Sequence, residues 1–303
     1  MTSRAGHTLQ QHWPEYVIEA WALGTFMVSA GLFTALLEYP GSPVHPLISN
    51  THVRRALVGL AMGLTAIALI YSPWGQRSGA HMNPATTLTF LRLGKIQPWD
   101  ALFYITAQFM GGVGGVLFTK LVLRDILAHR SVNHVATVPG PAGAGIAFLA
   151  ETAIAFGMML MVLFVTNTPK LARFTGLFAG TLVFLFIAFE APLSGMSINP
   201  ARTAASALPS GIWTGGWIYF TAPLFGMMLA AQVYRGVSGS STSACPKLHH
   251  GVKQRCIFCG FQGVAKILSA VGERERRPII SPEQGRGAED PRPLEEVRSA
   301  QHN

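Results

Sequence analysis

Long apolar runs alternate with short polar connections over the first 236 residues of the chain. Six runs are long enough to cross roughly 30 Å of hydrocarbon as helices. They lie near 16–37, 55–73, 98–123, 144–166, 174–192 and 213–235. The first begins with Pro14 and Glu15 and lacks the basic stretch and cleavage site of a signal peptide, so we predict a retained helix. The pattern therefore predicts an all-α membrane protein with six spans.

Two further apolar pieces, 83–92 and 199–208, are too short to cross a bilayer. Each begins with Asn-Pro, an N-cap residue followed by a proline at the first helical position, which is a strong helix-start signal. Non-helical backbone at membrane depth is tolerated only where it is buried in protein or lines a water-filled cavity. We therefore predict two re-entrant half-helices beside such a cavity.

The same motif, Ser-Gly-x-x-x-Asn-Pro-Ala, leads into both half-helices. It begins at Ser78 in the first copy and at Ser194 in the second. A single copy would indicate only a capped helix start. Two copies in corresponding places of two three-span halves predict inverted repeats, because an odd number of spans makes the halves enter from opposite sides. The duplicated motif residues are Asn83, Pro84, Ala85, Asn199, Pro200 and Ala201.

Inverted repeats would bring the two half-helix N-termini together near the bilayer midplane. Each N-terminus carries roughly half a positive elementary charge from its aligned peptide dipoles. Two such ends facing a narrow path would repel cations, including protons, while Asn83 and Asn199 would offer amide donors to a passing solute. The segments just before each half-helix would expose carbonyl groups to that path.

Composition and charge support the membrane assignment. Hydrophobic residues make up 50% of the 303 positions and charged residues only 12%, against roughly 25% charged in an average soluble domain. The net charge of +9 could indicate a nucleic-acid partner, but most of the excess lies on loops between apolar runs. There it favours an orientation with both termini on the cytoplasmic side, and we predict no nucleic-acid partner.

Together, these motifs resemble those of the aquaporin (major intrinsic protein) family over about residues 12–236. The resemblance implies a right-handed aquaporin-like bundle of six transmembrane helices plus two half-helices, assembled as a homotetramer with one pore per subunit. It implies a bacterial-type passive channel in the plasma or inner membrane, for water and/or small uncharged solutes, with no required cofactor and exclusion of protons and ions.

The predicted domains are an N-terminal cytoplasmic segment 1–12, a channel domain 13–236 with repeats at about 13–123 and 144–236, and a tail 237–303, disordered after about 272.

The resemblance also assigns a four-residue selectivity filter. Its members are Met62, Ile187, Met196 and Arg202. Ile187 is placed by counting back from the second motif, and Phe186 or Ala188 are the alternatives. The set lacks the aromatic and histidine residues of common water-selective filters and the aromatic wedge of glycerol-type filters. The solute therefore stays open between water, glycerol, ammonia and a neutral metalloid acid. For either methionine, core packing is the alternative to a filter role.

Two acidic residues lie inside predicted spans, where a charge costs about 2.5–3.5 kcal/mol on insertion scales. Glu19 and Glu151 occupy equivalent places in the two halves. They could relay protons in a coupled secondary transporter, but the resemblance favours support of the re-entrant loops. It also predicts that the backbone of four loop residues lines the pore, namely Gly79, Ala80, His81 and Gly195. We predict a channel and no enzyme.

All three cysteines follow the last span, together with two adjacent histidines: Cys245, His249, His250, Cys256 and Cys259. The two-residue gap in Cys256-x-x-Cys259 suits a single metal ion such as zinc, with Cys245 or a histidine completing a tetrahedral site. A packed or membrane-surface segment, lipidation and a redox response are alternatives. In a reducing cytoplasm a structural disulfide is disfavoured.

Overall fold

A computed structural model describes residues 4–238, 245–250 and 255–261 of the chain. These residues lie within one compact unit, Met1–Val264. The described part contains helices and turns but no strand. Its α-helices are α1 (Arg4–Glu38), α2 (Thr51–Tyr71), α3 (Pro73–Ser78), α4 (Pro84–Arg92), α5 (Pro98–Leu123), α6 (Asp125–Ala128), α7 (Ala144–Thr166), α8 (Thr175–Leu185), α9 (Ala191–Ser194), α10 (Pro200–Ser210) and α11 (Gly216–Ser238).

Six helical segments of the described chain are long and apolar enough to span a membrane. Five are single helices, and the sixth, Ala172–Ser194, runs through α8, a π-helical turn at Phe186–Glu190, and α9. Six crossings return the chain to its starting side, so the start of α1 and the end of α11 share one face. We call this the termini face and the other the opposite face.

The predicted spans and half-helices are observed to within a few residues, with one larger difference at the start. Helix α1 begins at Arg4, and Pro14 lies inside it instead of opening it. An apolar run marks the membrane-embedded part of a helix but not a polar extension. This extension is fixed to α5 by Asp100, which contacts His12 Nδ1 at 2.7 Å and accepts a hydrogen bond of 2.6 Å from Tyr16.

Small residues allow close crossings between helices of the same half. A Cβ at Gly111 of α5 would collide with the backbone of Ala20 in α1, and the second half repeats the arrangement where Gly226 of α11 meets Thr152 of α7. Such contacts let helix backbones approach within a membrane, where packing rather than hydrophobic exclusion drives association. The two halves therefore share a packing scheme as well as a motif.

The described tail segments, 245–250 and 255–261, pack against the termini face. The backbone N–H of Leu248 donates to the carbonyl of Gly79 at 3.2 Å, and Leu248 belongs to the same buried apolar cluster as the helices. The segment predicted to be disordered after about residue 272 lies outside the described residues.

Candidate functional site

Both Asn-Pro-Ala motifs open a half-helix in the same way. Asn83 caps α4 by accepting a hydrogen bond of 2.9 Å from the backbone N–H of Ala85. Asn199 caps α10 through the corresponding 3.0 Å bond from Ala201. A proline follows each cap at the first helical position, where the missing N–H costs nothing because that group would have no intrahelical partner.

The same two asparagines tie the halves to each other. The side-chain amide of Asn83 donates to the carbonyl of Ile198 at 2.9 Å, and that of Asn199 donates to the carbonyl of Met82 at 2.6 Å. An amide group has two N–H donors, so one N–H of each asparagine remains for the lumen. One of the two amide N–H groups that each asparagine was predicted to offer a solute therefore holds the two halves together instead.

Glu19 holds the loop before the first half-helix. Its carboxylate accepts hydrogen bonds from Ser78 Oγ at 2.8 Å, from the backbone N–H groups of His81 and Met82 at 3.0 and 2.7 Å, and from Gln108 at 2.9 Å. Both oxygens are thus occupied by fixed donors. A carboxylate used in this way is a loop anchor and is poorly placed to relay protons.

Glu151 does the same in the second half. It accepts from Ser194 Oγ at 2.9 Å and from the backbone N–H groups of Ser197 and Ile198 at 2.6 and 2.7 Å. The two glutamates therefore bond to equivalent atoms of the two loops.

The anchored loops hold four non-glycine residues in the left-handed backbone region. Ala80 and Met82 have φ of 54° and 49°, and their counterparts Met196 and Ile198 have φ of 49° and 57°. This conformation costs roughly 1–2 kcal/mol per residue for side chains other than glycine. A strained backbone conformation persists where surrounding contacts hold it in place. Here the hydrogen bonds to Glu19 and Glu151 hold the loops.

A cavity of about 400 Å³ runs between the half-helices. All four residues assigned to the filter line it: Met62, Ile187, Met196 and Arg202. Neither alternative to Ile187, Phe186 or Ala188, is in the lining. Of the predicted pore-lining loop residues, Ala80, His81 and Gly195 line the cavity but Gly79 does not, because its carbonyl is covered by the tail at Leu248.

Arg202 supplies the charge of this cavity. Among the described residues that line it, Arg202 is the one side chain with a permanent charge. Its Nη1 is buried with no hydrogen-bond partner in the described part of the protein. A guanidinium with an unused donor beside an open path is suited to bind an oxygen atom of a passing solute.

Sequence reasoning missed the loop between α6 and α7 as part of the wall. Five of its residues line the cavity: Ser131, Val132, Asn133, Val135 and Ala136. Thr137 lies 2.9 Å from Thr203 through their hydroxyl oxygens, and Ser206 donates to the carbonyl of Val135 at 3.3 Å. The loop has no periodic pattern or motif, so the sequence offered no signal for this placement.

Sequence reasoning also missed that the tail reaches the cavity. Leu248 lines it on the termini face. His81 Nε2 donates to the carbonyl of Pro246 at 2.7 Å, and the Phe258 ring stacks nearly parallel to the His81 ring with centroids 5.9 Å apart. The His81 side chain therefore joins the first loop to the tail.

Four of the five metal-ligand candidates come together in that tail. One ligand atom from each of Cys245, His250, Cys256 and Cys259 lies within 4.8 Å of the others. His249 is outside the group, and its ring meets Tyr71 edge-on at 5.0 Å. A hydrogen bond between the Cys245 and Cys256 thiols lowers the pKa of Cys256 and raises that of Cys245.

Comparison with known proteins agrees with this geometry. Residues 9–234 match the model of the family described as major intrinsic protein. The chain belongs to the major intrinsic protein family. It is 34% identical over 229 residues to "Aquaporin NIP2-3" of Zea mays, covering 74% of this chain and 73% of that relative. It is 32% identical over 218 residues to "Aquaporin NIP6-1" of Arabidopsis thaliana, covering 71% and 69% of the two chains.

A solved structure shares the fold of this major intrinsic protein. It is the X-ray structure of the aquaglyceroporin from Plasmodium falciparum, with a TM-score of 0.60, 20% sequence identity, and coverage of 75% of this chain and 97% of that one. The protein is thus a multi-pass membrane protein with the aquaporin-like fold, and a passive channel for water or small solutes.

Proposed function

We propose that this channel conducts water together with small uncharged hydroxylated solutes, down their gradient in either direction, and excludes ions and protons. The observation that carries the proposal is the lining of one cavity by Met62, Ile187, Met196 and Arg202. Three apolar side chains and one cation form a wall that suits a solute with both carbon and hydroxyl groups.

Two kinds of contact would guide such a solute. Its hydroxyl oxygens would accept hydrogen bonds from Arg202 and from the remaining amide N–H groups of Asn83 and Asn199. Its carbon atoms would slide over Met62 and Met196, whose flexible thioether chains adapt to more than one shape. The filter residues include no histidine that would tie down single-file water.

Ion exclusion would come from fixed positive potential along the path. The N-termini of α4 and α10 each carry roughly half an elementary charge, and Arg202 adds a full one. A cation or proton entering this cavity would lose water without finding an acidic partner. Proton-coupled transport would need such a partner, whereas Glu19 and Glu151 are bonded to the loops and no Asp or Glu is among the described lining residues.

We further infer a homotetramer with one pore per subunit, in the plasma or inner membrane, with both termini in the cytoplasm. Relatives named aquaporins and a structural neighbour named an aquaglyceroporin support the solute range of water and glycerol-sized molecules. Passage itself requires no cofactor and no catalysis in this proposal.

The test is a stopped-flow comparison in proteoliposomes with protein-free liposomes as the control. We expect fast osmotic shrinkage in an impermeant osmolyte, and reswelling in glycerol faster than in the control. Fast shrinkage without glycerol entry would restrict the channel to water and contradict the assigned role of the apolar wall. A proton-gradient dye in the same vesicles should report no leak above control.

A further inference from the structure

We propose that Cys245, His250, Cys256 and Cys259 bind one zinc-type divalent cation, and that the loaded site locks the tail as a plug in the termini-face mouth of the channel. The metal site stands on its own geometry. Its effect on conduction rests on the proposed function, so the two parts are tested separately.

The four ligand atoms lie near the spacing of a tetrahedral site, all within 4.8 Å of one another. Cys245 Sγ and Cys256 Sγ are 3.5 Å apart, and His250 Nε2 and Cys259 Sγ are 3.2 Å apart. Zinc bonds of about 2.3 Å to sulfur and about 2.0–2.1 Å to nitrogen place neighbouring ligands of this set about 3.5–3.8 Å from each other. Only small shifts would therefore admit the ion.

The backbone around the paired cysteines is shaped to present two thiols to one point. A turn at residues 257–259 is closed by the N–H of Gly260 donating to the carbonyl of Cys256 at 3.2 Å. Gly260 has φ of 74°, a left-handed conformation that glycine adopts without steric cost. The N–H of Cys256 donates to the carbonyl of Phe261 at 2.7 Å, which completes the loop.

A buried lysine balances the charge that this ligand set would create. Three thiolates and one neutral imidazole around a divalent cation carry a net charge of −1. The side chain of Lys247 is buried, with its ammonium bonded to the carbonyls of Gln76 at 2.8 Å and Arg255 at 3.2 Å. The lysine ammonium is thereby held beside the ligand set, where its charge can offset that of the loaded site.

Along the chain, the metal ligands flank the tail residues that contact the channel. Pro246 and Leu248 lie between Cys245 and His250 and bond to the first re-entrant loop through His81 and Gly79. Phe258 lies between Cys256 and Cys259 and stacks on the His81 ring. A metal ion that fixes the ligands would therefore fix the docking residues between them.

Ionic contacts keep the second tail segment on the same face. Arg255 Nε lies 3.5 Å from the fully buried carboxylate of Glu15, and its Nη2 donates to the carbonyl of Gln11 at 2.8 Å. Leu248 has 7% exposure and lines the cavity. The plug is thus seated on α1 and the first loop, with an apolar side chain at the end of the solute path.

Metal binding is measured on the full-length protein in detergent, reduced and then loaded with zinc or cobalt. We expect one metal ion per chain and the visible absorption bands of tetrahedral thiolate-bound cobalt. Cys256→Ser and Cys259→Ser should lose the ion, whereas His249→Ala is the matched control and should keep it. Wild-type protein that takes up no ion, or a His249→Ala loss equal to that of the cysteine variants, would overturn the site.

Conduction is then measured in proteoliposomes loaded with zinc or treated with a chelator. We expect a several-fold rise in solute flux on chelation, and flux independent of the chelator in Cys256→Ser. Leu248→Ala should keep its metal and conduct at the high rate in both conditions, which separates the plug from the ion.

The remaining flux outcomes distinguish a failure of the plug from a failure of the proposed function. A bound ion with equal flux before and after chelation, and no gain in Leu248→Ala, would overturn the plug and leave the site intact. Flux equal to that of protein-free liposomes in all states, including Leu248→Ala, would instead contradict the proposed function. A lower flux after chelation would reverse the sign of the coupling and refute the plug.

Discussion

The two re-entrant loops have the same framework of hydrogen bonds. They differ at residues that contact the cavity or the tail. In both halves a glutamate binds two backbone N–H groups and a serine hydroxyl, an asparagine caps the half-helix, and alternate residues are left-handed. A tyrosine hydroxyl also donates to a serine carbonyl in each half, from Tyr104 to Ser78 and from Tyr219 to Ser194. The duplicated residues therefore hold the two loops in the same conformation.

The duplicated motif and the residue that follows it differ at four positions between the halves, and two of these change the charge or the partners. Thr86 occupies in α4 the place that Arg202 occupies in α10, so only the second motif is followed directly by a cation. His81 in the first loop corresponds to Ser197 in the second. The imidazole donates to the tail on the termini face, whereas the Ser197 hydroxyl bonds within its own half to Asn199 and Thr203. In the proposed mechanism, solute selection and closure therefore reside in residues that the halves do not share.

The largest effect should follow from removing a shared anchor. Glu19→Ala would leave four donors without their acceptor, and Glu151→Ala would leave three. A buried unsatisfied group costs about 1–3 kcal/mol, so either change would consume much of a typical stability of about 5–15 kcal/mol. We expect loss of monodisperse protein in detergent chromatography, with Glu19→Ala the more severe. The exposed Asp125→Ala is the control, and two stable alanine variants would refute the anchor role.

The next effect concerns the unshared cation. Arg202→Val should admit larger neutral solutes and raise proton leak, because it removes the full positive charge and a donor from the wall. Thr86→Val at the equivalent position should leave both properties near wild type, since Thr86 also lines the cavity but is uncharged, and its hydroxyl donates to the sulfur of Met227 at 3.6 Å. Proteoliposome reswelling and a pH-sensitive dye measure both. An unchanged solute range and leak in Arg202→Val would show that the filter is wrongly assigned.

A smaller effect is expected where the first loop meets the tail. His81→Ser gives this loop the residue of the second loop and removes the bond to Pro246 and the stack with Phe258. We expect higher solute flux from zinc-loaded protein with its metal content unchanged. Ser197→Ala is the comparison variant and should not respond to metal. Equal flux in wild type and His81→Ser, both zinc-loaded, would argue against the imidazole as the connection.

The smallest effect should be equal in the two halves. Tyr104→Phe and Tyr219→Phe each remove one hydrogen bond to a serine carbonyl, which is worth about 0.5–1.5 kcal/mol. Thermal unfolding in detergent should show two small and similar decreases in the midpoint. A midpoint decrease several-fold larger in one variant than in the other would mean that the halves are less alike in energy than in geometry.

Much of this architecture could be predicted because the bilayer restricts what the backbone can do. Apolar length located six spans, and the duplicated Asn-Pro-Ala located both half-helices to within two residues at each end. The start of α1 was wrong because residues before Pro14 are polar, and a helix stabilised by Asp100 needs no apolar pattern there. The spacing of the cysteines indicated a metal site but could not choose between the two histidines.

Long-range placement was beyond the sequence for a physical reason. The wall loop around Asn133 is held by side-chain contacts with α10, and the plug around Leu248 is held by hydrogen bonds with the first re-entrant loop. Such contacts depend on where two chain segments meet in space and leave no period or motif behind. Local patterns therefore predicted the shared framework better than the features that distinguish the halves.

The reciprocal bonds of Asn83 to Ile198 and of Asn199 to Met82 bear on how the protein is made. Each central loop is completed by an atom that is synthesised in the other half of the chain. The first loop can enter the bilayer early, but it must wait for more than a hundred further residues before its asparagine finds its acceptor. The centre of the pore is therefore among the last parts of the molecule to reach its final structure, and it forms in both halves at once.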